Sequence, residues 1–111
     1  MTEKKFALSK ESFKELVPQF GACLATDRIT VEGRKVGYMY REKPGFPQDT
    51  GWRFFAGDED QKYIDNLQNS SVYAVNTIAN YDPDIIPYLH TPAPCAFEKV
   101  TGTTDYKLVP L

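Results

Sequence analysis

The sequence predicts a single compact α+β domain with a mainly antiparallel sheet and two main helices. Three observations support this fold class: a length of 111 residues, two stretches with helical spacing, and several short β-branched or aromatic stretches. A chain of this length has room for one core that buries about two-thirds of the surface exposed by the unfolded chain. We therefore expect residues 1–111 to form one domain.

The composition is that of an ordinary globular protein. Hydrophobic residues make up 41% and charged residues 25% of the chain, which argues against disorder. The formal net charge of −2 offers little attraction for phosphate backbones or anionic membranes. A charged N-terminus leads into no long apolar run, so we expect a cytoplasmic protein with no nucleic-acid or membrane partner. The oligomeric state stays open.

The first predicted helix spans residues 10–17. Ser9 stands at its N-cap position, and the apolar residues Phe13, Leu16 and Val17 follow the spacing of a buried helical stripe. The next residue is a proline, which ends the helix.

A predicted β-hairpin follows this helix. Residues 21–26 form a strand of small residues, and the alternating stretch 29–31 is joined by a turn to a strand at 35–41. Residues 43–50 contain two prolines and a glycine, which predicts a surface loop. One face of the strand at 35–41 is expected to carry Val36, Tyr38 and Tyr40.

The next strand, at residues 51–56, contains the only tryptophan. Alternation places Trp52 and Phe54 on one face, where we expect Trp52 in the core. Arg53 and Phe55 point the other way. Because Trp and Arg are enriched at interface hot spots, Arg53 is either part of the fold or an exposed partner-binding residue.

The second predicted helix begins after Gly57, which breaks the strand. Asp58 and Gln61 match a variant of the capping box, and the helix closes at Asn69. Its apolar face is formed by Tyr63, Ile64 and Leu67.

The remaining chain predicts strands with one short helical turn. Residues 71–78 have the β-branched and aromatic content of a strand, although they do not alternate cleanly. Pro83 suits the first position of a helical turn that includes residues 85–89. Two final strands, at 95–100 and 106–109, flank a turn.

No group of residues predicts a catalytic or metal site. The acids at 58–60 are explained by helix capping rather than by a cation, and Asp82 and Asp84 by an exposed proline turn. His90 lacks an orienting acid nearby and is expected at the surface.

The two cysteines, Cys23 and Cys95, have no motif around them. They form no CxxC pair and have no histidine close in sequence. We expect buried free thiols, and a disulfide only if the fold brings the two residues together.

Two dense stretches, at residues 51–60 and 76–89, carry a family resemblance. Their order of Gly-Trp, Gly-Asp-Glu and Asp-Pro elements, followed by residues 92–97, resembles the bacterial immunity protein 33 family. The likeness runs from Gly21 to about Lys99. It implies a compact α+β domain that neutralises a toxin from competing bacteria.

The resemblance implies a protein that works by binding. Occlusion of the toxin by a complementary surface requires no catalytic group, metal or cofactor, and affinity comes from a few desolvated aromatic and charged anchors. The candidate partner-binding residues that match family positions are Trp52, Arg53, Asp58, Glu59, Tyr81, Asp82 and Asp84.

Two alternative functions and one open structural question remain beside this hypothesis. The chain could be a regulatory or small-ligand-binding domain. It could be a hydrolase, which requires that at least two of Asp58, Asp82, Asp84 and His90 converge in one pocket. Finally, the segment around Tyr81 and Tyr88 is either an ordinary packed turn or an aromatic and acidic surface suited to a basic partner.

Overall fold

Six strands form one mixed sheet in the computed structural model, which describes residues 4–111. They are β1 (Ala22–Thr26), β2 (Tyr38–Arg41), β3 (Asp49–Phe55), β4 (Ser70–Ala74), β5 (Cys95–Lys99) and β6 (Tyr106–Leu108). Their order across the sheet is β4-β1-β3-β2-β5-β6, with β1 and β3 parallel and the other neighbours antiparallel. The predicted α+β class with a mainly antiparallel sheet is confirmed. Residues 1–3, the first part of the charged N-terminus, lie outside the described residues.

Short helices connect the strands. The α-helices are α1 (Asp27–Thr30), α2 (Gln61–Asp65) and α3 (Val75–Tyr81), and the 3₁₀ helices are Lys10–Ser12, Leu67–Asn69 and Pro83–Tyr88. The longest α-helix in the described residues is α3, which replaces the second half of a predicted strand.

The sheet has two faces that differ in their cover. One side, here called the inner face, packs against α1, α3 and the Pro83–Tyr88 helix, and its strand residues form the core. Its buried side chains include Cys23, Ala25, Met39, Trp52, Phe54 and Phe97. The opposite side, here called the outer face, carries Leu24, Tyr38, Tyr40, Arg53 and Phe55, which are paired with one another across neighbouring strands.

The predicted helix over residues 10–17 is wrong, since only Lys10–Ser12 is helical, as a single 3₁₀ turn. The amide side chains of Asn76 and Asn80 hydrogen-bond the backbone of residues 14–17 instead. These bonds replace the intrahelical ones, so the segment lies across α3 without forming a helix of its own.

The hairpin predicted around residues 29–31 is also wrong. The consecutive residues Ile29 and Thr30 are both fully buried, which suits a helical turn and not an alternating strand. Gly33 has a φ of +77° and ends this turn, with its N–H donating to the Ile29 carbonyl. The chain then reaches β2 through Val36, not through a paired strand.

The strand predicted at 35–41 begins only at Tyr38, and its residues are distributed between the two faces of the sheet in a different way from the prediction. Val36 precedes β2 and is fully buried, with its N–H donating to the Asp82 carboxylate. Within β2 the buried residue is Met39, whereas Tyr38 and Tyr40 point to the outer face. The predicted common face of Val36 with the two tyrosines is therefore wrong.

The predicted strand at 71–78 is correct only in its first half. It ends at Ala74, and α3 then buries Val75, Ile78 and Ala79 at the i, i+3, i+4 spacing of a helix. The absence of clean alternation in the sequence is explained by this change of structure.

Several local predictions are confirmed. The strand around Trp52, the β5–β6 hairpin and Pro83 at the first helical position are all present. The second predicted helix exists as α2 followed by a 3₁₀ turn, but its N-cap is Asp60, which accepts from the Tyr63 N–H at 2.8 Å, and not Asp58. Cys23 and Cys95 are buried free thiols, as expected.

Candidate functional site

Three aromatic rings form a cluster on the outer face of the sheet. Tyr38, Tyr40 and Phe55 lie on the adjacent strands β2 and β3, and each is half-buried. The Tyr40 and Phe55 rings stack with 5.8 Å between centroids, and Tyr38 lies 6.1 Å from Tyr40 and 5.9 Å from Phe55. This aromatic cluster leaves ring surface open to solvent beside the sheet.

Strand alternation places this cluster opposite the core. Successive side chains of a strand point to opposite faces, so burial of Met39 and Phe54 sends their neighbours outward. The pattern Tyr38-Met39-Tyr40 contained this signal. The spacing of Val36, Tyr38 and Tyr40 predicts one common face, so the sequence alone does not separate the two tyrosines from the core.

Helix α2 lies along one side of the cluster and forms two depressions with the sheet. An open groove of about 330 Å³ is lined by Tyr38, Tyr40, Phe55, Gly57, Glu59 and Ile64. A smaller cavity of about 160 Å³ lies next to it, between α2 and residues of β1, β2 and β3. Ile64, which lines both depressions, is 40% exposed, and Val72, paired with the lining residue Leu24, is 55% exposed.

Two of the acidic residues singled out in the sequence lie at the edge of this surface. Glu59 accepts from the Thr26 hydroxyl and from the N–H groups of Ala56 and Gly57, which ties the ends of β1 and β3 together. Asp58, whose side chain is 53% exposed, pairs with Arg28 and Arg34. The structure therefore gives both carboxylates structural partners and leaves Glu59 facing the groove.

Arg53 is buried on the outer face, with 5% of its surface exposed. Its two terminal nitrogens form a bidentate pair with Asp49 at 2.9 and 2.8 Å, and its Nε donates to Glu42 at 2.8 Å. Of the two possibilities raised by the sequence, the fold uses Arg53 internally. Asp49 also accepts from the N–H groups of Gly45 and Gly51, which fixes the loop before β3.

These contacts shift the ionisation of the buried pair. The hydrogen bonds from Arg53 hold the pKa of Asp49 well below its usual range, against the opposing effect of burial. The same pairing raises the pKa of Arg53. Both groups are therefore charged in the folded chain at neutral pH, and the positive charge of Arg53 is balanced by the carboxylates that it binds.

Trp52 and Tyr81 belong to the core. Trp52 has no exposed surface, stacks on Phe54 with 5.9 Å between centroids, and donates its indole N–H to the Leu89 carbonyl at 3.0 Å. Its predicted core position is confirmed. Tyr81 is 6% exposed and donates its hydroxyl hydrogen to the Thr30 carbonyl. The possible aromatic surface around Tyr81 is thus a packed turn.

Asp82 is fully buried, which corrects the expected exposure of the turn at 82–84. Its carboxylate accepts from the Val36 N–H, the Tyr106 hydroxyl and the Asp84 N–H. Lys99 lies 3.6 Å from Asp82 and 3.4 Å from Asp84. The two acids are thus close to each other, but they serve as a cap and a brace between distant segments.

No two of the four candidate hydrolase residues line the same pocket in the described part of the chain. Asp82 and Asp84 meet at Lys99, Asp58 pairs with Arg28 and Arg34, and His90 is exposed beside Phe20. Neither depression on the outer face is lined by any of them. Across residues 4–111 no group of three or more histidine, cysteine, aspartate or glutamate side chains is placed to hold a metal.

The fold and its outer face define a small α+β domain with an open aromatic surface on one side of its sheet. Residues 23–109 match the family model described as the Immunity protein Imm33 domain, and the chain belongs to this family. No curated protein and no solved structure gives a significant match. Membership implies toxin neutralisation and a cognate toxin as partner. Within residues 4–111, no helix has the length and apolar character needed to cross a membrane.

Proposed function

We propose that this chain is a non-catalytic immunity protein that neutralises its cognate toxin by occluding the toxin's active site or substrate path. The observation that carries the proposal is the family match over residues 23–109. An immunity protein of this kind acts in the cytoplasm of the cell that makes it. It needs a complementary surface and no reactive group, and the structural roles of Asp82 and Asp58 agree with that requirement.

The outer face is the surface that we propose binds the toxin. Tyr38, Tyr40 and Phe55 offer rigid ring surface that loses little side-chain entropy on binding, and aromatic residues are enriched at the centres of interfaces. The inner face is unsuitable, because helices and the core already cover it.

Charge indicates the type of partner. The side chains of Glu42 and Glu98 are 50% and 56% exposed, and Glu59 borders the groove. Lys107 pairs only loosely with Glu98, at 3.9 Å. An aromatic centre with an acidic border is complementary to a basic surface, so we propose a toxin whose contact patch is positively charged.

The candidate partner-binding residues predicted from the sequence differ in whether they are accessible to a toxin. Asp58 and Glu59 remain candidates at the border of the outer face, where part of each side chain is accessible. Asp84 remains a candidate only for a contact on the other side, next to Lys99. Four residues offer little or no accessible surface and would act through the fold: Trp52, Arg53, Tyr81 and Asp82.

Co-expression with the toxin encoded beside its gene tests the proposal. We expect the unchanged chain to restore growth, and Tyr40→Ala with Phe55→Ala to abolish protection while the protein stays folded. Leu108→Ala is the matched control, because Leu108 is 67% exposed and is paired with the core residue Phe97 at the sheet edge.

Two outcomes would overturn the proposal. The absence of any toxic neighbour together with no protective effect would contradict the function. Full protection by the aromatic double variant would contradict the surface. Sedimentation of the chain alone tests whether a second copy of the chain binds this face. A dimer that dissociates in the Tyr40→Ala variant would assign the outer face to self-association and would contradict the proposed surface.

A further inference from the structure

The smaller cavity on the outer face has a mixed lining. Its walls are formed by the rings of Tyr40, Phe55 and Tyr63 and by the aliphatic residues Leu24 and Ile64. Glu42 and Arg53 also line it. The cavity, of about 160 Å³, is open to solvent between α2 and the sheet. It therefore combines an apolar interior with an ionised group at its border.

The charge of Arg53 is already compensated at this site. Asp49 binds both terminal nitrogens and Glu42 binds Nε, so these three side chains carry a net charge of −1 at neutral pH. One oxygen of Glu42, Oε1, accepts no hydrogen bond within the described structure, and the side chain is 50% exposed. The remaining negative charge is thus available to an incoming cation.

Burial and the Glu42 carboxylate raise the pKa of Tyr40, so this ring of the cavity lining carries no charge at neutral pH. A second carboxylate adds to the negative potential. Glu59 lies in the adjoining groove. The rings supply further attraction, because aromatic faces attract guanidinium groups.

Resting on the proposed toxin-binding function, we propose that this cavity receives an arginine side chain from the toxin. The arginine's aliphatic stem would lie against Tyr40 and Phe55, and its guanidinium would donate to the free oxygen of Glu42. Arginine suits such a site because it combines an apolar stem with a planar donor group. It is also among the residues that dominate binding energy in interfaces.

A titration with small probes tests this without the toxin. N-acetyl-arginine amide is compared with N-acetyl-citrulline amide, which has nearly the same shape but no charge, by following the methyl NMR signals of Leu24 and Ile64. We expect saturable shifts with the arginine probe and at least about tenfold weaker binding of citrulline, since a charge-assisted hydrogen bond is lost. Equal binding of both probes, or shifts elsewhere only, would overturn the inference.

Two variants test whether the arginine probe needs the Glu42 charge and the open cavity. Glu42→Gln removes the acceptor charge, with Asp105→Asn as a control because Asp105 is an exposed acid that lines neither depression of the outer face. Since Glu42 also contacts Arg53, Ile64→Trp provides a variant that fills the cavity and leaves every charge in place. We expect both Glu42→Gln and Ile64→Trp, but not the control, to lose the arginine-specific shifts of the Leu24 methyl signals, which all of these variants retain.

The toxin assay separates this inference from the proposed function. If the unchanged chain gives no protection, the function fails. If it protects and Glu42→Gln and Ile64→Trp bind the toxin as tightly as the unchanged chain does, only the arginine-receiving cavity is contradicted. We expect both variants to bind the toxin at least about tenfold more weakly, because a central anchor is lost.

Discussion

The two faces of the sheet are built by the same strands and have opposite properties. On β3, Trp52 and Phe54 are fully buried on the inner face, whereas Arg53 and Phe55 line the outer one. The inner face is covered by α1, α3 and the Pro83–Tyr88 helix. The difference shows that consecutive residues of one strand can be divided between holding the fold and presenting a surface.

The outer face nevertheless has a rigid base. Arg53, Asp49 and Glu42 are joined by hydrogen bonds beside the aromatic rings, and the buried Arg53 connects the strand to the loop before it. A surface held in this way is prepared for binding before the partner arrives, which lowers the entropy lost on association.

The largest expected effect is on the inner face. Trp52→Ala should lower the free energy of unfolding by about 3 to 5 kcal/mol, because it leaves a large cavity and removes the indole hydrogen bond to the Leu89 carbonyl. Urea denaturation followed by circular dichroism measures this change.

Trp52→Phe is the control for this prediction, since it keeps most of the apolar volume and should cost less. The fraction of Trp52→Ala that remains folded should still bind the toxin. A variant of unchanged stability that no longer binds the toxin would instead place Trp52 in the interface. It would contradict the assignment of the inner face to the core and the outer face to binding.

The buried ion pair gives the next largest effect. Asp49→Asn leaves Arg53 buried without its bidentate partner and should cost about 3 kcal/mol. Because Arg53 lowers the pKa of Asp49 in the folded chain, the folded state binds this proton more weakly than the unfolded state. The stabilisation is therefore complete above about pH 4 to 5 and declines as the pH falls further.

Unfolding free energies measured between about pH 2 and 7 test this dependence. The unchanged chain should lose stability on acidification more steeply than Asp49→Asn. Asp105→Asn serves as the control, because Asp105 is exposed in a turn. Parallel pH profiles for the unchanged chain and Asp49→Asn would contradict the role of the pair.

The sequence predicted those parts of the fold whose signals are local. The strand around Trp52 alternates, the β5–β6 hairpin surrounds a glycine turn, and Pro83 has a position that suits its fixed φ. The sequence also placed Trp52 in the core correctly. In each case neighbouring residues alone determine the outcome.

Where the prediction failed, distant contacts decided the structure. Asn76 and Asn80 bind the backbone of residues 14–17 from more than 55 positions away, and so a helical stripe around Phe13 does not form a helix. The turn at Asp82 is buried because Val36 and Tyr106 donate to it. No local sequence pattern indicates hydrogen-bond partners that are so distant in the chain.

The candidate site was only partly visible in the sequence. Glu59 was recognised through the family motif, and Arg53 was recognised but its burial was undecided. Tyr38 and Tyr40 were missed because the start of β2 depends on Val36 binding Asp82 across the fold. Pairing of β2 with β3 is what brings these tyrosines to Phe55, and that pairing is a tertiary property.

The smallest expected change in stability is at Phe55, which follows the fully buried Phe54 on β3. Phe55→Ala removes two cross-strand ring contacts on a half-buried surface and should cost about 1 kcal/mol. Phe54→Ala, at the adjacent fully buried position, is the matched control and should cost about 3 to 5 kcal/mol. Toxin binding should show the reverse order, with Phe55→Ala losing at least about 30-fold in affinity, as expected for a hot-spot residue. Equal losses of stability at the two positions would mean that the outer face is part of the core, and unchanged affinity in Phe55→Ala would mean that the toxin binds elsewhere.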